Sequence, residues 1–348
     1  MKAGELKKVL EIVKPGLANR DVLEQATSFI FHQGRVYSFN DQVAVIAPFE
    51  LGADGAVNSN IYAFASKLKP DAEITLETIN NELRFVSGRS KAGVVIEADI
   101  KLPLEEELKP PEEWYPLPGN FLSSVKSCLF SAAKSGNAPI LTCVHIFGDF
   151  IETCDEYRIT RYVLDEAVVN KDSNGNPKDA NGIKVVARNL IALPAGRPTE
   201  YGFNESWMQF RNPDTGLIYC VRMVDGQYPD LEELLECIGA EIEFPKELNE
   251  ALDWSAVPTD DAKKFEQKVH ITIGKGLMSF RGEGLESWAT QDIRFRYTGE
   301  PIKFSAHPEF LKEMSKLAQK VTIGANSLRI DGGNFVHVVS FENEEEGE

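Results

Sequence analysis

The sequence predicts an α+β chain in which one helix–sheet–helix–sheet unit is written three times. Three observations carry this expectation. Helix-period and strand-period stretches alternate in the same order in each third of the chain. Short strings return, Val144-His-Ile146 as Val269-His-Ile271 and Ser66-Lys-Leu68 as Ser315-Lys-Leu317. Two acidic, proline-marked stretches, Leu102–Trp114 and Asp230–Pro245, cut the 348 residues into pieces of ordinary domain size. The expected domains are therefore 1–110, 111–240 and 241–348, the last ending in an acidic tail, Glu342–Glu348.

Each unit opens on a helix-period stretch: Gly4–Val13, Pro118–Ala133 and Lys246–Trp254. A strand, a turn and a second strand follow at Ser28–Phe39, Val144–Thr153 and Val269–Phe280. A second helix is expected at Ser59–Leu68, Ala187–Leu193 and Pro308–Lys320. A hairpin then closes each unit, at Glu73–Val86, Tyr201–Phe210 and Val321–Ile330, with turn chemistry at Asn80-Asn81 and Asn326-Ser327. The stretch Asn170–Gly182 consists of turn residues and reads as a long surface loop.

Composition narrows the classes. With 43% hydrophobic residues the chain is globular and not disordered. No apolar run approaches the ~18 residues of a membrane span, and Met1–Lys8 has no apolar signal core, so no membrane partner is expected. Five cysteines, none spaced C-x-x-C, read as reduced thiols of a cytoplasmic protein. A net charge of −17, from 37 basic and 54 acidic residues, argues against nucleic acid adhering to the outer surface, but leaves an inner face open to it.

The residues offer no catalytic constellation, and neither an enzyme activity nor a cofactor is expected. The five histidines, at 32, 145, 270, 307 and 337, are never three or four apart, so no helical metal pair exists. Asp172–Asn176 begins like a calcium loop, but its sixth position is Pro177 and its twelfth Ile183. Gly274-Lys-Gly276 and Gly282-Glu-Gly284 lack the context of a phosphate-binding loop, and no nucleophile elbow occurs.

Four stretches bring the repeat into contact with a known family. These are Val86-Ser-Gly-Arg-Ser90, Glu152-Thr-Cys-Asp-Glu-Tyr-Arg-Ile159, Val221-Arg-Met-Val-Asp-Gly-Gln-Tyr-Pro-Asp230 and Pro301-Ile-Lys-Phe-Ser-Ala-His-Pro-Glu-Phe-Leu311. In order and separation they resemble the bacterial-type DNA polymerase processivity clamp, the β sliding clamp, over nearly the whole chain. The resemblance implies three tandem copies of the DNA-clamp fold, with sheets outside and helices lining a pore. Two chains would close a homodimeric ring around duplex DNA, hold it without reading sequence, and tether a replicative DNA polymerase. An ATP-driven clamp loader from another protein would open the ring. The clamp itself needs no cofactor.

The DNA-facing cations expected from that layout are Lys7, Lys8, Lys14, Arg20, Lys67, Lys69, Lys126, Lys134, Arg188, Arg197, Lys312, Lys316 and Lys320. Lysines and arginines reach phosphates without reading bases. Arg20 and Arg188 match family positions individually, although Asn189 stands where a second basic residue is expected. Lys246–Trp254 is acid-rich, which puts its DNA contact in doubt. By position, a pocket for partner peptides would use Cys154, Tyr157, Arg158, Ile159, Leu235, Val338, Val339 and Phe341. The family's small glycine is here Glu156, its pocket proline is Glu236, and the chain ends in an acidic tail. Two acids at the rim predict a partner motif with a basic residue, and the tail could fold over the pocket as an autoinhibitor. These departures point to a divergent replisome, such as that of a phage. Two other classes fit the residues less well: an interaction scaffold of the same fold that encircles nothing, and an acidic hydrolase.

Overall fold

A computed structural model describes residues 1–20, 23–136, 138–169, 181–261, 267–274 and 276–343. The rejected calcium loop, most of the surface loop and the end of the acidic tail lie outside these residues. The chain is a mixture of helices and strands, and every strand pairing described is antiparallel. It falls into two compact units, each assembled from several segments. Unit 1 comprises Met1–Leu129, Cys143–Asp149 and Asp165–Gly226; unit 2 comprises Phe130–Thr142, Phe150–Leu164 and Gln227–Glu348.

In unit 1 the first helix, Ala3–Val13, buries Ala3, Leu6, Leu10 and Val13, one face at helical spacing. Its start is held by Glu5, whose carboxylate accepts the Lys2 backbone N–H at 3.0 Å. Pro15 sits in a tight turn, Lys14–Gly16, that ends it. The helix packs on a second one, Asn60–Lys67. The hairpin Thr75–Ile79/Glu82–Ser87 turns through Asn80 and Asn81, both with positive φ (51° and 61°), the geometry that suits the strands' twist. A large sheet runs from Thr75–Ile79 through Ser90–Glu97 and Val43–Pro48 to Leu217–Arg222 and Glu200–Phe203. Its central seam joins distant parts of the chain, with Val43 opposite Val221 and Ile46 opposite Ile218. The acidic stretch Leu102–Trp114 is anchored by its leucines, while Glu105, Glu106, Glu112 and Glu113 stay exposed. Leu102, Leu104 and Leu108 join Ile30, Phe39 and Trp207 in the core. Glu107 accepts hydrogen bonds from the Trp207 indole N–H at 3.0 Å and from Arg222 at 2.9 Å.

Unit 2 repeats the seam. Arg158–Val163 pairs with Phe335–Ser340, Arg158 opposite Val339 and Tyr162 opposite Phe335. A second sheet in the unit ends at Trp288–Arg294, which among the described residues pairs with Leu277–Glu283 on one side only. Its core brings Leu248 and Leu252 of helix Leu248–Ala256 against Ile271, Phe280, Leu311 and Met314.

Several element boundaries differ from expectation. The helix expected over 308–320 ends at Leu317. Ala318 is extended (φ −159°, ψ 162°), and Lys320 opens the strand Lys320–Ile323, opposite Glu243. The β-branched run Val321-Thr-Ile323 finds a strand partner in Ala240–Glu243, and that pairing overrides helix continuation. The expected helix Pro118–Ala133 shortens to Phe121–Cys128 plus a 3₁₀ turn, Leu129–Ser131. Ala187–Leu193 resolves into two 3₁₀ turns, Ala187–Leu190 and Leu193–Gly196. The second contains Pro194 and closes on Arg197 in a left-handed conformation.

Candidate nucleic-acid interface and partner cleft

The expected DNA-facing cations divide between the units. Lys7, Lys8, Lys14, Arg20, Lys67, Lys69, Lys126, Arg188 and Arg197 belong to unit 1, and Lys134, Lys312, Lys316 and Lys320 to unit 2. All are exposed except Lys7 and Lys312, which are half-buried. Lys7, Lys8, Lys67, Lys126, Lys312 and Lys316 lie on α-helices. Lys14, Arg188 and Arg197 lie in or beside 3₁₀ turns, Arg20, Lys69 and Lys134 in loops, and Lys320 on a strand. The Lys14 ammonium lies 4.8 Å from the centroid of the Tyr62 ring, on the neighbouring helix. Lys312 is already engaged, bound to Asp253 and, at 2.8 Å, to Glu309, so its charge is compensated within the protein.

The eight residues expected in a peptide pocket separate into three groups. Cys154, Ile159, Leu235 and Val338 pack together with Tyr228 and Leu231 into a buried cluster. Tyr228 closes it, its hydroxyl accepting the Cys154 N–H at 3.1 Å, while burial pushes the Cys154 thiol up to about 11. Val339 and Phe341 belong to the other core of unit 2, because successive side chains of a strand point to opposite faces. Tyr157 and Arg158 instead line an open cleft of about 320 Å³. Glu236 is exposed at the end of Glu232–Leu235 and is not among the residues lining that cleft.

Three segments of unit 2 build the cleft: Ala132–Gly136 with Ala138 and Leu141, the turn Asp155–Arg158, and the helix opening His307–Glu313. Asp155 shapes the turn by accepting the backbone N–H groups of Tyr157 (2.9 Å) and Arg158 (3.0 Å), an Asx turn. The His307 ring caps the helix by accepting the Glu309 N–H, and it stacks on Phe310 at 4.6 Å. Arg158 occupies the floor, 8% exposed. Its guanidinium binds Asp155 at 2.9 Å and also binds Glu313, and lies 4.5 Å from the Phe310 centroid and 5.5 Å from that of Phe130. Burial holds the Glu313 carboxyl above its ordinary range, against the pull of Arg158. Sequence reasoning missed His307, Phe310, Glu313 and Tyr228. The Pro308-Glu-Phe-Leu311 helix opening and the Tyr-Pro-Asp string carry these positions, but as local patterns they do not reveal what the side chains meet.

Beneath the cleft floor, His337 is fully buried, its Nδ1 2.8 Å from the Thr160 hydroxyl and its ring 5.1 Å from Phe130. Burial, reinforced by Arg158, pulls its pKa down to about 3. The folded protein therefore keeps this imidazole neutral while the unfolded chain protonates it near 6.5, so stability falls as pH drops below 6.5. Between pH 7 and 5 this single group is expected to remove about 2 kcal/mol. Urea titrations at the two pH values check it: in His337→Gln the pH-dependent loss should shrink by that amount.

Among the described residues, no group of three or more His, Cys, Asp or Glu side chains could hold a metal ion, and no helix is long and apolar enough to cross a membrane. The fold is similar to that of solved DNA sliding clamps. The sequence matches no protein-family model and no curated protein. Among solved structures, the DNA polymerase sliding clamp of Pseudomonas aeruginosa superposes with a TM-score of 0.79 at 15% identity, covering 99% of each chain. The β subunit of the Streptococcus pyogenes DNA polymerase gives 0.79 at 18%, and the DNA polymerase III β subunit of Thermotoga maritima 0.78 at 15%, each covering 99% of both chains. At such identities the likeness is one of fold, and it extends over essentially the whole chain.

Proposed function

We propose that this protein is a DNA polymerase sliding clamp, a homodimeric ring that encircles duplex DNA and tethers the replicative polymerase in the cytoplasm of its host cell. The observation that carries the reading is an incomplete pattern of strand pairing. If the chain is three clamp domains, 1–110, 111–240 and 241–348, Val43–Pro48 of the first pairs with Leu217–Arg222 of the second, and Arg158–Val163 of the second with Phe335–Ser340 of the third. Trp288–Arg294 of the last domain and Ser90–Glu97 of the first are left over. Among the described residues, the former has a partner on one side only, and the latter is paired on its second side only at Ile96 and Glu97. A second chain, joined head to tail at both ends, supplies the missing pairings and closes the ring, since a heterologous contact that closes makes a ring. An exposed strand edge left uncovered would otherwise invite aggregation.

In this ring the helices face a central hole and present the exposed cations to phosphates without reading bases. The clamp does no chemistry. It makes the polymerase's return to the template intramolecular, raising its effective concentration. A loader that hydrolyses ATP opens the ring, and short segments of its partners dock on unit 2. Topology provides the test. The protein is allowed to thread onto linear duplex DNA, whose ends are then either blocked with bulky protein or left open, and the salt is raised. A ring is expected to stay on the blocked DNA and leave the open DNA, because salt dissolves phosphate contacts but not encirclement. Equal loss from both would replace this reading with that of a non-encircling scaffold.

A further inference from the structure

We propose that the cleft beside Tyr157 selects partner peptides carrying a lysine or arginine next to an apolar side chain. This rests on the peptide-tethering reading above and specifies what it recognises. Four carboxylates line the cleft, Asp155, Glu156, Glu309 and Glu313, against two cations, Lys134 and Arg158. The floor is electrically settled. Arg158 spends its guanidinium on Asp155 and Glu313 and is packed between two aromatic rings, so it has little left to offer an acidic ligand. Glu156 has no ion-pair partner among the described residues and stands exposed on the turn. Glu309 shares Lys312 with Asp253, which leaves it undercompensated.

The apolar part of the ligand has Leu141, Ala132 and the Tyr157 and Phe310 rings, 5.9 Å apart, to pack against. A cationic group leaving that floor meets the carboxylates of Glu156 and Glu309, which line the same cleft. Lys134 also stands on the rim and limits the preference to a selective one. The chain's net charge of −17 adds long-range attraction for a basic segment. Affinity then comes from the apolar contact, and specificity from the rim charges, which reject an acidic competitor.

The experiment selects a randomised linear peptide library on the full-length protein and measures the selected peptides by calorimetry. Lys and Arg should be enriched. Replacing the basic residue of a selected peptide by Ala should weaken binding roughly tenfold, about the value of one well-placed charge pair. Glu156→Lys, a change on an exposed turn, should abolish that difference and favour peptides with Asp or Glu instead. Peptides that lose affinity to Tyr157→Ala but tolerate both Lys→Ala and Glu156→Lys would overturn the charge selection and leave the docking site standing. Peptides indifferent to Tyr157→Ala, or a library that yields none, would overturn both.

Discussion

Trp288→Glu is expected to turn the proposed dimer into monomers, weakening self-association on the order of 100-fold, about 2.7 kcal/mol. Trp288 begins the half-paired strand Trp288–Arg294 and is 66% exposed, with the Arg281 guanidinium 5.1 Å from its ring centroid. Leu285 (92% exposed) lies on the same hairpin, and Trp254 (59%) and Val257 (62%) lie at the end of the preceding helix. The hairpin and helix end meet closely: a Cβ on Gly282 would stand 1.7 Å from the Ser255 carbonyl oxygen, and one on Gly284 1.9 Å from that of Pro258. Only glycine permits that approach, and it gathers the apolar side chains at one end of the sheet. A monomer has no use for such a surface, whereas burying a tryptophan at the centre of an interface is where association energy concentrates. Because Trp288 is exposed within one chain, the substitution should leave folding intact. Sedimentation velocity across a concentration range reads the outcome, with Leu234→Glu, exposed elsewhere on unit 2, as the control. Retention on end-blocked DNA should disappear with the dimer. A Trp288→Glu protein that remains dimeric would remove this strand edge from the interface.

Arg158→Met is expected to destabilise unit 2 by about 3–5 kcal/mol, as happens when one partner of a buried ion pair is deleted. The substitution keeps much of the side-chain volume but strands two carboxylates, Asp155, whose side chain is 13% exposed, and Glu313. Burial already holds the Glu313 carboxyl above its ordinary range, and Arg158, more than Lys316, keeps it from rising further. A carboxyl with a raised folded pKa stabilises the protein at low pH and loses that contribution as pH climbs through and above its unfolded value. The damage from Arg158→Met should accordingly be smaller at pH 5 than at pH 8. Urea denaturation at both pH values tests this. A loss below about 1 kcal/mol at pH 8 would mean that these ion pairs behave as surface pairs.

Much of the local structure is legible in the residues. The spacing of Ala3, Leu6, Leu10 and Val13 marks the first helix, and Asn80-Asn81 marks a turn that then adopts positive φ at both positions. Legibility fails where a distant partner decides. Lys320 reads as helical until Val321-Thr-Ile323 finds Ala240–Glu243 across the sheet. Leu102–Trp114 reads as a connector between domains until its leucines enter the core and Trp207 and Arg222 give Glu107 its hydrogen bonds. The expected pocket follows position along the chain, but strand alternation sends Val338 to one core and Val339 to another.

The sequence by itself determined the helix and strand periods and the turns, which are written in residues close together in the chain. Tertiary structure alone decided which strands meet, that Tyr228 fills the expected pocket, and that Arg158, Glu313 and Phe310 instead frame an open cleft beside it. The physical reason is range. Backbone sterics and periodicity act over a few residues, whereas strand pairing and the burial of a charge depend on groups brought together from far along the chain.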